Sequence, residues 1–109
     1  LVGMLRASNE ELLARHGRWY QADRDPVWWR RNALIALGNS PEAAGDVAVS
    51  AVLTEYLAHD RAVLRVHAVW AAARLGLDDL LPITDPDPDV RAELALATTA
   101  RATPSPVRN

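Results

Sequence analysis

Val49, Val52, Leu53, Tyr56 and Leu57 fall at i, i+3, i+4, i+7 and i+8, which places them on one face of a helix. Between Val66 and Ala73 only His67 is polar, the pattern of a helix buried on most of its sides. No stretch sustains apolar and polar residues in strict alternation, so the pattern predicts helices and no sheet.

Capping residues divide these patterns into elements. Ser8-x-x-Glu11 fits a capping box that opens a first helix containing Leu12 and Leu13, with Trp19 close behind and Gly17 as its stop. Asp25-Pro26 opens a second helix to about Leu37, with Asp as cap and Pro at the first helical position, and Gly38-Asn39 ends it. Ser40-Pro41 opens a third helix in the same way. Asp60 is expected to cap a fourth helix over 61–75, ended by Gly76. Asp78 to Pro82 reads as a short turn or single helical turn, Asp85-Pro-Asp-Pro-Asp89 as rigid punctuation, and Val90 to about Ala102 as a last helix. Residues 1–7 read as a linker from an upstream domain, 8–102 as the helical domain and 103–109 as a flexible tail. The chain thus reads as a piece of a longer protein.

Composition narrows the class. The 109 residues suit one small domain, and twenty alanines and twelve arginines, with no lysine, favour helix. A formal net charge of −2 provides no global field for nucleic acid or membrane. The absence of cysteine excludes disulfides and thiolate ligands within the chain. No apolar run reaches the ~18 residues of a membrane span.

An internal repeat organises the elements. Asp25 to Ala36 aligns with Asp60 to Ala71 at a shift of 35, matching Asp25 with Asp60, Arg30 with Arg65, Asn32 with His67 and Ala33 with Ala68. A weaker third copy starts at Asp87, and its Arg91 matches Arg65 at a shift of 26. One helix pair cannot bury its own apolar face, so such units must stack. The expected fold is all-α, a HEAT-like α-solenoid of about five or six helices.

Candidate chemistry is sparse. His16, His59 and His67 lack metal-ligand spacing, and Asp78, Asp79, Asp85, Asp87 and Asp89 lack the Gly and Glu of a calcium loop. His67 and Asn32 are expected to be hydrogen-bonding posts between helices. Trp19, Tyr20, Trp28 and Trp29 read most simply as packing residues, with a contact surface as the sharper alternative. Arg30, Arg65 and Arg91 are expected to pair with the Asp caps as a ladder, which leaves Arg24, Arg31 and Arg61 as surface cations.

The string Arg30-Arg-Asn-Ala-Leu-Ile-Ala-Leu-Gly-Asn39, followed by Arg65-Val-His-Ala-Val-Trp-Ala-Ala-Ala-Arg-Leu-Gly76, resembles the C-terminal HEAT-like region of epoxyqueuosine reductases and related iron–sulfur proteins. Arg15-His-Gly-Arg-Trp-Tyr20 and Asp25-Pro-Val-Trp-Trp-Arg30 resemble the segment entering that region. The likeness covers about residues 8–76. It implies a non-catalytic module, with no cofactor of its own, from a cytoplasmic parent oxidoreductase that carries an iron–sulfur cluster and cobalamin upstream. The implied partners are that upstream catalytic domain and tRNA, in queuosine biosynthesis, with no membrane role. Arg24, Arg31 and Arg61 are then the RNA-binding candidates. The rival expectation is a structural or protein–protein scaffold without an RNA role.

Overall fold

The computed structural model describes residues 2–7 and 27–102. All secondary structure among them is helical: α1 (Val2–Arg6), α2 (Val27–Gly38), α3 (Val47–Leu57), α4 (Ala62–Arg74) and α5 (Pro88–Ala102), with 3-10 turns at Pro41–Gly45 and Asp78–Leu80. Four of these helices have eleven or more residues, slightly fewer than the five or six expected. The capping box at Ser8, the helix after it, Trp19, Tyr20, Arg24, Asp25 and the tail at 103–109 lie outside the described residues.

Helix α4 is the centre of the molecule, packing on α2, α3 and α5. Its Leu64, Ala68, Ala71 and Ala72 join Leu34 and Leu37 of α2 and Val49, Val52, Leu53 and Tyr56 of α3 in the main core. Val69, on the other side of α4, meets Val90, Leu94 and Ala97 of α5 in a second cluster. A helix buried on two sides must be nearly free of charge on both, and the alanines let its neighbours approach closely.

That approach is closest at Gly38. A Cβ there would stand 2.5 Å from the Cζ3 atom of Trp70 and 3.1 Å from the Cα of Ala71. Gly38 therefore does more than end α2: it lets the end of that helix rest on α4. Gly76, at φ +73°, has the ordinary helix-stop role. Leu77 N–H donates to Ala72 O at 2.8 Å and Gly76 N–H to Ala73 O at 3.1 Å, the paired bonds of a Schellman end.

Three sequence expectations are corrected. Ser40-Pro41 opens the 3-10 turn at Pro41–Gly45, and α3 starts only at Val47 under the cap of Asp46, whose side chain accepts from Ala48 N–H at 2.8 Å. Ser40 instead donates its hydroxyl back to Ala36 O. Asp60 does not cap α4: Arg61 holds the cap position without a capping side-chain hydrogen bond, and its N–H donates to His59 Nδ1 at 3.0 Å. Residues 1–7, expected as a linker, supply α1, and its Leu5 is buried in the main core.

Candidate functional site

Arg65 lies one turn into α4, where its side chain reaches back over the helix start. Its Nη1 donates to His59 O at 2.7 Å and Asp60 O at 3.1 Å. Its Nε and Nη2 grip Asp85 bidentately at 3.0 and 3.1 Å. Such a fork fixes geometry as well as charge. Asp85 Oδ1 also accepts from Asp87 N–H at 2.9 Å. Burial pushes the Asp85 carboxyl up, but the Asp87 N–H, the Arg65 guanidinium and the charge of Arg91 outweigh it and hold the group below its ordinary value.

Arg91 repeats part of this arrangement on α5. Its Nη1 donates to Asp85 O and Pro86 O, both at 2.8 Å. Both arginines thus take the carbonyls six and five residues before themselves, at the shift of 26 that aligns them in sequence. Asp87 caps α5, accepting from Asp89 N–H at 2.8 Å and Val90 N–H at 3.2 Å.

Arg30 is buried and works differently. Its Nη1 donates to Leu5 O at 3.2 Å and Tyr56 Oη at 3.0 Å, and its Nη2 to Ala7 O at 2.7 Å. The Tyr56 hydroxyl also donates to Leu5 O. The three register arginines therefore hold mainly backbone carbonyls, and the acid Arg65 takes is Asp85 in the next connection instead of the Asp60 expected from the repeat. Among the described residues Asn32 and His67 bond within their own helices and not between helices as expected. Asn32 Oδ1 accepts from Arg31 Nη2 at 3.0 Å, and the His67 ring bonds Val63 O of its own helix at 2.7 Å.

The surface cations occupy two places. On α2 the Arg31 guanidinium lies 4.7 Å over the ring of Trp28, which is 43% exposed. Arg31 Nε is shielded from solvent and has no hydrogen-bond partner among the described residues. Arg61 stands exposed at the start of α4, on an open groove of about 740 Å³ that also includes Arg30, Glu55, Tyr56 and His59. Arg6 reaches Glu55 at 2.9 Å along its rim. Burial and the neighbouring charge of Arg30 lower the His59 pKa, with Arg61 and Arg65 adding to them and Asp60 opposing. Arg24, the third cation candidate, lies outside the described residues. Sequence reasoning missed Asp85 as the partner of Arg65, because a contact across twenty positions carries no local signal.

Among the described residues no three His, Asp or Glu side chains come together as a metal site, and no helix is long and apolar enough to cross a membrane. No family model, curated protein or solved structure matches the chain.

Proposed function

We propose that this chain is a non-catalytic helical-repeat recognition module, a HEAT-like C-terminal part of an epoxyqueuosine-reductase-like iron–sulfur protein, and that it helps to bind tRNA. The repeat half of this reading rests on Arg65 and Arg91, which take carbonyls at the same two offsets. The family and RNA half rests on the likeness of the string at 30–39 and its continuation at 65–76.

Within that reading the observation that favours RNA is the Arg31–Trp28 pair. An exposed indole offers a stacking face for an unpaired base, and a guanidinium beside it offers donors for phosphate oxygens. Arg61 adds a cation at the start of α4, where the helix dipole favours anions. The experiment is a tRNA titration of the intact chain against its Arg24, Arg31 and Arg61 charge-removal variant.

A structural or protein–protein scaffold is the second reading, favoured by the engagement of Arg30, Arg65 and Arg91 inside the fold. On that reading α2 and α5 present exposed apolar side chains, Trp28 and Leu96 among them, to a protein.

A further inference from the structure

Helix α5 sits on α4 through a face whose parts can be named. Leu57, Ala62 and Val66 border the cluster around Val69, which receives Val90 and Leu94 of α5. Arg65 completes that face by taking Asp85 on its Nε and Nη2 edge, just ahead of the α5 cap.

The same face recurs one unit later at the shift of 26. Leu57 maps to Ile83, Ala62 to Pro88, Val66 to Ala92, Val69 to Ala95 and Arg65 to Arg91. The mapping holds structurally, because α4 starts at Ala62 and α5 at its equivalent Pro88, and because both arginines hold carbonyls six and five residues back. Yet Ile83 is 100% exposed, and Pro88, Ala92 and Ala95 are exposed with it. Arg91 uses only Nη1, so the edge equivalent to the one that takes Asp85 has no hydrogen bond among the described residues. Between this arginine and Ile83 runs a mostly apolar groove walled by Leu81, Leu94 and Ala95.

We propose that this outer face of α5 docks a helix of a partner protein whose lead-in supplies an aspartate to the open edge of Arg91. The occupant follows from charge and shape. A guanidinium edge beside an apolar groove is matched by a carboxylate followed by an apolar helix stripe, and alanines at 92 and 95 admit that helix closely. The segment Ile83–Thr98 has this chemistry where it lies on α4: an acid for the arginine, an Asp cap two residues on, then Val90 and Leu94 facing inward. This inference is independent of RNA binding and survives its failure.

The test uses the 109-residue chain and a fluorescent synthetic peptide of residues 83–98 as the helix. Saturable binding is expected. Asp85→Asn in the peptide should weaken it at least about tenfold, as should Ala95→Glu in the protein, because truncating a bonded charge pair or placing a carboxylate in the seat raises the off-rate. Ala95 points away from the chain's own core, so Ala95→Glu should keep the wild-type thermal midpoint; Ala92→Glu is the second variant if that midpoint falls. Absence of binding overturns the proposal. So does unchanged binding by the Glu variants, which would place the peptide elsewhere. Self-association of the chain that Ala95→Glu abolishes would assign the face to a second copy and overturn the partner helix.

Discussion

The six-membered ring of Trp70 occupies the place where a side chain on Gly38 would begin. The end of α2 is thereby held against α4, and Arg74 adds to the contact. Its guanidinium lies 5.2 Å over the Trp70 ring, and its Nε donates to Gly38 O at 3.4 Å.

Gly38→Ala should therefore destabilise the fold, although alanine favours helix by up to ~1 kcal/mol. The methyl group forces the ring and the α4 backbone to give way, and overpacking of this kind costs about 1–3 kcal/mol. Chemical denaturation of Gly38→Ala alone and in a Trp70→Leu background checks the cause. The loss should shrink when the smaller side chain makes room, and an equal loss in both backgrounds would detach Gly38 from Trp70.

Breaking the Arg65–Asp85 pair should cost about 3 kcal/mol in either direction, because each single change strands a largely buried partner. Arg65→Lys keeps the charge but loses the fork and the carbonyls of His59 and Asp60, so it should recover little of that loss. Urea midpoints of Arg65→Lys, Asp85→Asn and the double variant give the coupling. Additive losses would contradict the bidentate contact.

Acidification should weaken the fold in two steps. His59 has a lowered pKa, so the unfolded chain binds its proton more readily. Stability from this group is complete above 6.5 and is lost as pH falls below that value, when the imidazole can no longer accept from Arg61 N–H. Asp85 is also lowered, so its contribution is complete above 3.8 and falls away at more acid pH. Thermal midpoints from pH 8 to 3 should show both declines. His59→Asn should flatten only the first, and an unchanged first step would assign it elsewhere.

Much of the helical layout was legible in local pattern. The apolar stripe from Val49 and the Gly76 stop depend only on spacing and backbone freedom, and both appear where expected. Asp60 misled because α4 starts at Ala62, one residue later than expected, so the cap position falls on Arg61, which has no capping side chain. The shift of 26 between Arg65 and Arg91 was legible, and the carbonyls six and five residues behind each arginine follow it. The cap positions Arg61 and Asp87 keep the same shift, although only Asp87 caps with its side chain. The Gly38–Trp70 contact and the Arg65–Asp85 pair were not legible, since each joins elements far apart in the chain. Arg31 was legible as a surface cation, but its seat on Trp28 needed helical spacing and burial together.

Ala68→Asp should unfold the chain or cost several kcal/mol. Ala68 is fully buried among the α2 and α3 side chains, and an unpaired carboxylate there loses its hydration without a partner. Far-ultraviolet circular dichroism against temperature reads the effect. A variant as stable as wild type would contradict the placement of α4 at the centre.

The most direct measurement is a tRNA titration of the chain and of its Arg24→Ala, Arg31→Ala, Arg61→Ala triple variant by fluorescence anisotropy across a salt series. The recognition-module account predicts weak binding by the wild type that falls as salt rises. The triple variant should bind less tightly at low salt, with a salt slope reduced by about 1 for each arginine that meets a phosphate, and with an unchanged thermal midpoint. Equal binding by the triple variant, or a loss that follows a lowered midpoint, would contradict the account and leave these arginines as structural residues.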